Sequence, residues 1–440
     1  MEALTAEVTI TARVLAAELH GYVGETVRVA GWLHTVRALG GVTFVLLRDR
    51  TGITQIVFAA EPPELAGLGV ESVIAVTGRV VAEERAASGA EMHGNAVEVL
   101  SPVTEVLPFE INKRTLNANL DTFLDHAPVG LRHPTKAATF RLMDVMGQGL
   151  RAAFTARDCT EIHTPKIVAG ATEGGAHLFP VRYFERDAAL AQSPQLYKQI
   201  MVGALERVYE IAPVFRAEPH ATTRHLNEYI SVDVEMGFIV DHHTVMRFLQ
   251  ESLTDTFAHL AEAGAADIAL LGATVPVIGA IPIIHYRDAL ELITTRYGDN
   301  VRGITDLAPQ HERWLGTWAR ETHGSDFVFV EGYPTTKRPF YTMPDPARPG
   351  YTNSFDLLYR GLEVTTGGQR IHNEAHLRSS MARFGIATEG FAGYLEAFRY
   401  GMPPHGGFAI GLERLLGQLL GTSNVRETAL FPRDLHRLAP

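Results

Sequence analysis

The sequence predicts an α+β protein in which a small N-terminal β-barrel precedes a larger domain of helices and strands. The chain has 440 residues, which is enough for two or three domains. Its first 108 residues contain short apolar, β-branched runs separated by glycine, aspartate and proline, the pattern of strands and turns. From Ala137 the apolar residues recur three or four positions apart, which is the spacing of a helix.

The N-terminal domain is expected to span residues 1–108. The apolar runs that predict its strands are Val27–Trp32, Val42–Leu47, Ile53–Phe58, Val73–Val81 and Ala96–Leu100. A helix-like insert lies near Pro63–Leu68. Five short strands with one such insert fit a small barrel of the OB type. A different five-stranded barrel with no nucleic-acid role fits the same pattern.

Residues 109–135 are expected to form a hinge, because Pro128 and Pro134 lie there among mixed polar residues. The helix that follows should end near Asp158. After it, strands alternate with helices to the C-terminus. Residues 136–440 are therefore expected to form the second, α+β domain.

The composition narrows the class of protein. Hydrophobic residues make up 46% of the chain and charged residues 20%, which excludes wholesale disorder. The single cysteine, Cys159, excludes a disulfide within the chain and a cysteine-based zinc site. A net charge of −11 argues against an indiscriminate nucleic-acid coat, but it leaves room for a specific RNA partner.

We expect a cytoplasmic protein without a membrane span. The N-terminus has no basic region followed by an apolar core, so it does not resemble a secretory signal. The uncharged stretch Ile268–Ile284 contains two prolines and is shorter than the ~20 residues that a transmembrane helix needs.

Several common nucleotide-binding and hydrolase motifs are absent from the sequence. It contains no Gly-Lys dipeptide and hence no Walker A loop, no Gly-x-Gly-x-x-Gly and no Gly-x-Ser-x-Gly. Any phosphate chemistry must therefore use another arrangement of residues.

The segment from Val208 to Glu235 predicts a strand, a polar loop and a returning strand. Arg216 and Arg224 flank the loop, and the alternation of a strand places Asp233 and Glu235 on one face. A solvated ladder of salt bridges would explain this pattern. Arginines facing carboxylates also suit a site for a polyphosphate and a cationic amine.

Two further segments carry polar residues at the ends of predicted strands. Gly406–Arg414 runs into an apolar helix, and its glycines allow a backbone to approach a ligand closely. A predicted hairpin beginning at Phe355 presents Glu363, Thr366 and Arg370 on its second arm. A carboxylate and a hydroxyl three residues apart can share the coordination shell of Mg²⁺.

Taken together, these segments resemble the class II aminoacyl-tRNA synthetases. Phe215-Arg-x-Glu with Arg224 and the Tyr-x-x-x-Asp that follows resembles motif 2, and Gly411-Leu-Glu-Arg resembles motif 3. The predicted helix that leads to Glu161–Pro165 resembles motif 1, whose proline lies at a dimer interface in that family.

Other segments resemble the aspartyl branch of the family, in its archaeal-type form. Thr172–Gly175 is similar to the mobile loop that closes on the amino acid, and Gln192–Gln199 is similar to the aspartyl signature. Leu39–Gln55 resembles the anticodon-binding barrel. Gly367–His372 and the compact length resemble the archaeal-type enzymes, which lack a large insertion domain.

The resemblance implies a fold, an activity and partners. It implies an OB domain followed by an antiparallel sheet flanked by helices, in a homodimer with Pro165 at or near the two-fold interface. It implies ATP-dependent attachment of L-aspartate to tRNA(Asp) through aspartyl-adenylate. The implied catalytic residues are Arg216, Arg224 and Arg414. The implied ATP-binding residues are Arg216, Glu218, Arg224, His225, Tyr229, Glu363, Gly411 and Arg414. Glu363 and Thr366 would ligate Mg²⁺, with threonine standing where the family usually has serine.

The amino-acid pocket implied by the resemblance favours an acidic substrate. Its residues would be Glu173, Ser193, Gln195, Lys198, Asp233, Thr366 and Arg370. Two cations, Lys198 and Arg370, would face the side-chain carboxylate and would serve a neutral amide poorly. Three alternatives remain: an asparaginyl-tRNA synthetase, an amide-forming ligase paralogue, which would lack the barrel, and a catalytically inactive RNA-binding relative, which both motif 2 arginines and Arg414 disfavour.

The barrel is expected to recognise the anticodon. Phe44 would stack on the middle base, Gln55 would bind its edge and Arg37 would contact a nearby group. His34, in a predicted loop after Trp32, and Ala87 in a second loop stand where selective relatives tend to carry tryptophan and lysine. We therefore expect an enzyme that also charges tRNA(Asn), whose product a separate amidotransferase would convert. The alternative is that His34 is an exposed loop histidine without this role.

Overall fold

The structure, a computed structural model, describes residues 10–86, 88–170, 178–220 and 222–439. The chain divides into two compact units, Met1–His133 and Pro134–Pro440. Each unit has its own hydrophobic core. The predicted domains, residues 1–108 and 136–440 with a hinge at residues 109–135, stay a prediction.

The first unit is a closed barrel. Its strands are β1 (Ile10–Arg13), β2 (Thr26–Leu39), β3 (Val42–Asp49), β4 (Gly52–Phe58), β5 (Val73–Ala82) and β6 (Ala90–Ser101). Strands β2, β3, β4, β6 and β5 are neighbours in that order, and the pairing of β5 with β2 closes the ring. The five-stranded OB-type barrel predicted from the sequence is confirmed, whereas β1 was not predicted. Side chains that alternate along β2 fill the interior, because the residues of a strand point to opposite faces in turn.

Two short helices follow the barrel, α1 (Leu120–Asp125) and α2 (Ala127–Gly130). The side chain of Asn119 caps α1, because its Oδ1 accepts a hydrogen bond from the backbone N–H of Thr122 at 2.8 Å. Both helices belong to the segment that the sequence predicts as a hinge.

The second unit contains the larger sheet and its helices. The strands are β7 (Thr160–Glu161), β8 (Ile167–Val168), β9 (Pro180–Tyr183), β10 (Arg186–Leu190), β11 (Arg207–Phe215), β12 (Glu228–Gly237), β13 (Ile283–His285), β14 (Phe327–Glu331), β15 (Ser354–Tyr359), β16 (Leu362–Gln369) and β17 (His405–Gly411). The helices are α3 (Pro134–Thr155), α4 (Gln195–Leu205), α5 (His242–Ala263), α6 (Ala265–Leu271), α7 (Tyr286–Tyr297), α8 (Pro309–His323), α9 (Glu374–Arg383), α10 (Ala392–Arg399) and α11 (Leu412–Leu420).

Eight strands form one sheet in the order β13, β14, β15, β16, β17, β12, β11, β7. The six central strands are antiparallel, as the family resemblance implies. The two short edge strands, β13 and β7, pair in parallel with their neighbours, so the sheet as a whole is mixed. Parallel partners need a crossover connection, and β7 reaches β11 through a segment that includes α4.

Helix α3 packs on α5 and on the sheet through an apolar stripe. Leu142, Met146, Leu150 and Phe154 recur every four residues and are fully buried in the main core cluster. The helix predicted from Ala137 to near Asp158 is confirmed, with observed bounds one turn earlier. No helix in the described ranges is both long and apolar enough to cross a membrane.

Candidate active site

A cavity of about 670 Å³ opens over β12, β16, β17 and the start of α11. All eight residues expected to bind ATP line it, together with Thr366: Arg216, Glu218, Arg224, His225, Tyr229, Glu363, Gly411 and Arg414. These residues come from three segments far apart in the chain. The structure therefore brings together the segment that resembles motif 2, the hairpin with Glu363 and the segment that resembles motif 3.

Strand register explains why the motifs meet. Asp233 on β12 pairs with Ala409 on β17, and Ala409 pairs with Thr366 on β16, so the three residues form one row across the sheet. A β-bulge near Val364 adds one residue to β16. Because a bulge shifts the alternation by one, Glu363 and Thr366 lie on the same face although three positions separate them. The Thr366 hydroxyl donates to Glu363 Oε1 at 3.0 Å.

Three arginines give the cavity a cationic wall. The guanidinium of Arg216 lies 5.6 Å from the ring centre of Tyr229, a cation–π contact. Arg414 donates to the backbone carbonyl of Arg224 at 3.1 and 3.3 Å and to that of Glu363 at 3.3 Å. Guanidinium groups that share a cavity can grip several phosphate oxygens at once.

Glu312 on α8 links two of these groups, and the sequence motifs did not reveal it. Its Oε2 accepts from Arg224 Nη2 at 2.6 Å and from the backbone N–H of Glu363 at 2.9 Å. Burial raises the pKa of this carboxyl, although the adjacent Arg224 acts against the rise. Glu312 therefore holds Arg224 beside Glu363. It is 88 residues from Arg224 in the chain, so no local pattern could have revealed it.

Glu413 fixes the start of α11 to the sheet. Both of its carboxylate oxygens accept from the backbone N–H of Ile230, at 2.9 and 3.1 Å. Burial raises the pKa of Glu413 to about 7. Because Arg414 is its neighbour in the chain, this contact helps to place the Arg414 guanidinium over the cavity. The sequence motif contains Glu413 without indicating this role.

Next to the cavity, two buried cations face two buried carboxylates. Lys198 Nζ lies 2.9 Å from Asp233 Oδ1 and 3.4 Å from Glu235 Oε2. Arg370 Nε donates to Glu235 Oε1 at 3.0 Å. Burial alone would raise the pKa of Glu235, but Arg370 and then Lys198 outweigh it, so the pKa lies below its usual value. The two predicted cations thus come together, in a cluster whose charges balance.

Hydrogen bonds extend this cluster towards the cavity and away from it. Ser231, which lines the cavity, donates to Asp233 Oδ2 at 2.6 Å. The backbone N–H of Gln195 donates to Ser193 Oγ at 3.3 Å, and Gln195 Oε1 accepts from Arg370 at 3.4 Å. Four of the residues predicted to bind the amino acid therefore share one network with Asp233. Glu173 lies outside the described residues.

A second set of buried groups supports the pocket, and the sequence motifs did not reveal this role. Gln199 receives a hydrogen bond from Gln195 at 3.1 Å and one from the Tyr394 hydroxyl at 3.0 Å. It donates to His405 Nε2 at 2.9 Å. Burial lowers the pKa of His405 to about 4, so its ring is neutral and can accept. These contacts hold α4, which carries Lys198, against the sheet.

Gly407 on β17 has a steric reason to be glycine. A Cβ atom there would overlap the Glu235 carboxylate and the carbonyl of Val234. Its own carbonyl accepts from Arg370 at 3.0 Å. The absent side chain is what allows Glu235 and Arg370 to meet beneath the cavity.

In the barrel, Phe44 and Gln55 line a second cavity of about 770 Å³ with Arg85 and Glu91. Arg37 is exposed and pairs across the strands with Phe44. The side-chain amide of Gln55 donates to Glu91 Oε2 at 2.7 Å. A base that binds to this amide would therefore compete with Glu91.

The prediction that His34 lies in a loop is wrong. His34 is within β2, at a bulge between Leu33 and Thr35, and is 8% exposed. The run predicted as a strand stopped at Trp32 because the bulge interrupts the alternation of apolar residues. Burial, with Arg48 next in effect, lowers the pKa of His34, so the ring is neutral at pH 7. Ala87 lies outside the described residues.

Pro165 is exposed between two residues that bind a buried carboxylate. Glu210 accepts from the backbone and hydroxyl of Thr164, at 2.6 and 2.8 Å, and from Lys166 Nζ at 2.8 Å. These bonds fix the conformation of the chain on both sides of the proline. Its expected place at a dimer interface stays a prediction.

Comparison with known families agrees with these two units. Residues 119–435 match the family model described as tRNA synthetases class II (D, K and N). Residues 27–100 match an OB-fold nucleic acid binding domain.

Named relatives cover almost the whole chain. A protein of Deinococcus radiodurans named aspartate–tRNA(Asp/Asn) ligase is 48% identical over 97% of this chain and 99% of its own length. A protein of Thermus thermophilus with the same name is 48% identical over 97% of this chain and all of its own. Among solved structures, asparaginyl-tRNA synthetase from Pyrococcus horikoshii with asparaginyl-adenylate superposes with a TM-score of 0.91 at 31% identity, covering 98% of this chain and 100% of that one.

Proposed function

Because the chain belongs to the class II tRNA synthetases (D, K and N), we propose that it is an aspartate–tRNA ligase that uses ATP to attach L-aspartate to tRNA. The barrel supplies the tRNA-binding domain. A cytoplasmic location stays a prediction.

The observation that favours aspartate is the pair of buried cations, Lys198 and Arg370. Lys198 contacts Asp233, and Asp233 accepts a hydrogen bond from Ser231, which lines the ATP cavity. Lys198 now donates to Asp233, and Arg370 now donates to Glu235. A substrate carboxylate entering from that side would replace some of these contacts and accept charge-assisted hydrogen bonds from both cations. Asparagine would offer a neutral amide, whose NH₂ group cannot accept from them. Asparaginyl-tRNA synthetase therefore remains the less favoured alternative, although such an enzyme is a close structural relative.

The other two alternatives are weaker still. An amide-forming paralogue would not need the anticodon barrel that this chain has. An inactive relative would not need all three arginines on one cavity, yet Arg216, Arg224 and Arg414 all line it.

The chemistry needs no nucleophile from the protein. The α-carboxylate of aspartate attacks the α-phosphorus of ATP, the bond to the β-phosphate oxygen breaks, and pyrophosphate leaves. Arg216 would bind the α-phosphate and stabilise the charge that spreads over its oxygens during attack. Arg224 and Arg414 would hold the outer phosphates, with Tyr229 and Arg414 on either side of adenine. A ribose hydroxyl at the 3′ end of tRNA then attacks the carbonyl carbon of the adenylate, and AMP leaves.

Glu363 and Thr366 fit a Mg²⁺ ion. Their oxygen atoms are hard donors 3.0 Å apart that face the same cavity, and threonine offers the same hydroxyl as serine. When bound there, Mg²⁺ would neutralise charge on the phosphates of ATP. Glu312 would keep the backbone at Glu363 in place while Arg224 turns to the ligand.

We predict that the enzyme aspartylates tRNA(Asn) as well as tRNA(Asp). The aspartate and asparagine anticodons differ only at the third base, C against U, and Phe44 and Gln55 would read the shared middle base. His34 is only 8% exposed, so this prediction is supported by the relatives named aspartate–tRNA(Asp/Asn) ligase and not by a contact between this ring and the base. Two transcripts that differ only at the third base should be aspartylated with kcat/KM values within ~100-fold, about 2.7 kcal/mol. The product on tRNA(Asn) would then require a separate amidotransferase.

A third transcript with a changed middle base provides the control. The enzyme should aspartylate this transcript poorly, because the changed base cannot make the contacts that Phe44 and Gln55 would make with the usual one. A preference for C larger than the stated limit would mean that the enzyme is selective for tRNA(Asp).

We also predict a homodimer with Pro165 at or near the two-fold interface. The exposed proline is held rigidly by Thr164 and Lys166, as a contact residue would be. Sedimentation at micromolar concentration should give twice the 48.2 kDa of one chain. Pro165→Asp should shift the population towards monomer by placing a charge in the interface. A fully active monomeric wild type would contradict this prediction.

A further inference from the structure

A cluster of two histidines and a glutamate lies where α5 begins beside the end of β14. His242 and His243 are the first two residues of α5, and Glu331 is the last residue of β14. The Nε2 atoms of both imidazoles converge on Glu331 Oε2, at 3.1 Å from His242 and 2.9 Å from His243. None of the three residues lines the ATP cavity or belongs to the pocket around Lys198.

We propose that His242, His243 and Glu331 bind a divalent transition-metal ion of the Zn²⁺ type. Imidazole and carboxylate ligands in a 2:1 ratio are a common set for such an ion, with water completing a tetrahedral shell. With bonds of about 2.0–2.1 Å, neighbouring ligand atoms of a tetrahedral site are ~3.3 Å apart. The two distances from an imidazole Nε2 to Glu331 Oε2, 3.1 and 2.9 Å, are close to this value, and one ligand atom from each residue lies within 4.8 Å of the other two. Small shifts of the side chains would therefore admit the ion.

Asp241 supplies the supporting contact that metal-binding histidines usually have. Its Oδ2 lies 3.3 Å from His243 Nδ1, and its Oδ1 caps α5 by accepting from the backbone N–H of Thr244 at 3.2 Å. A carboxylate behind a ligand imidazole fixes the orientation and the tautomer of the ring. The two carboxylates, Asp241 and Glu331, also balance the charge of a divalent cation.

The alternative is an ordinary ion-pair cluster, in which His243 lies between Asp241 and Glu331. Each imidazole must carry a proton on Nε2 to bind Glu331, and the two ring centres are 4.1 Å apart. A metal ion would replace both Nε2 protons. The side chain of His243 is 45% exposed, which gives the ion a route from solvent.

The proposed site is independent of the Mg²⁺ site at Glu363 and Thr366. Imidazole selects ions such as Zn²⁺, Co²⁺ and Ni²⁺, whereas Mg²⁺ prefers oxygen donors. The proposed site also does not depend on which amino acid the enzyme uses. Failure of one assignment would therefore leave the other unaffected.

Binding of Zn²⁺ to the tag-free, chelator-treated full chain tests the proposal. The titration is made at pH 8, since metal binding must displace the imidazole protons. Calorimetry should show one high-affinity site per chain, and Co²⁺ should give the visible absorption of a tetrahedral complex. His243→Ala and Glu331→Gln should each weaken this site at least 30-fold. His436→Ala, which removes an exposed histidine near the C-terminus, should leave it unchanged.

Thermal unfolding gives a readout that does not depend on enzyme activity. Zn²⁺ should raise the Tm of the wild type and of His436→Ala, because a ligand that binds only the folded state stabilises it. It should not raise the Tm of the other two variants. Glu331→Gln keeps the size of the side chain and its bonds to the imidazoles, so it should fold. Equal Zn²⁺ affinity in wild type and both site variants, or no high-affinity site in the wild type, would overturn the proposal.

Discussion

Replacing Arg370 by leucine should lower kcat/KM for aspartate in ATP–pyrophosphate exchange by roughly 30- to 1000-fold, or ~2–4 kcal/mol. The KM for ATP should change much less. The reason is that the substrate carboxylate would lose one of the two cations that converge on the pocket. Lys198→Met should have an effect of the same order, because Lys198 is the other cation. Exchange kinetics within threefold of wild type for both variants would contradict the assignment of this pocket to aspartate.

Stability must be measured beside activity, because both cations are buried in ion pairs. Removing one cation leaves the buried carboxylate of Glu235 with a single cationic partner. This loss should cost about 3–5 kcal/mol in free energy of unfolding. Arg370→Lys keeps the charge but not the planar donor pair, so it should fold well and still lose aspartate activation. Lys166→Met is the matched control. It removes a lysine from the buried Glu210 outside the pocket and should lower stability without a selective effect on aspartate.

Replacing Arg216 by glutamine should lower kcat for adenylate formation by roughly 100- to 1000-fold, the usual loss when one donor to a developing charge is removed. The KM for aspartate should change little, because the role proposed for Arg216 lies at the α-phosphate. Rapid single-turnover measurement of adenylate formation separates this step from product release.

Arg207→Gln is the control for that experiment. Arg207 begins β11 and Arg216 follows its end, so the two arginines flank the same strand, but Arg207 is exposed and donates to the carbonyl of Arg157. It should retain wild-type kinetics. If Arg216→Gln were as active as Arg207→Gln, catalysis would not depend on this guanidinium.

The parts of the site that lie within one hairpin or one strand-to-helix junction were predictable from the sequence. Asp233 and Glu235 are two residues apart, so strand alternation alone puts them on one face, and the structure shows both beside Lys198. The five barrel strands were likewise predictable, because each apolar run is short and is bounded by turn residues.

Long-range partners could not be predicted, because no local pattern encodes them. Glu312 bonds to Arg224 across 88 residues, and a glutamate on an amphipathic helix is usually a solvated residue. The loop expected at His34 shows a different limit. One extra residue at a bulge interrupts the alternation on which strand prediction depends, so a continuous strand looks broken.

Bulges can also bring residues together. The spacing of Glu363 and Thr366 would place them on opposite faces of a regular strand, and the bulge near Val364 returns them to one face. The family resemblance suggested that they act together. The structure supplies the physical reason.

The most direct test of the central claim is ATP–pyrophosphate exchange by the wild-type chain with aspartate and asparagine as separate substrates. No tRNA is needed, so the result depends only on the amino-acid pocket and the ATP cavity. The account predicts exchange with aspartate and a kcat/KM for asparagine lower by ~100-fold or more, since the amide carries no charge and its NH₂ group cannot accept from the second cation. Exchange that is equal for both amino acids or faster with asparagine, or no exchange with either, would contradict it.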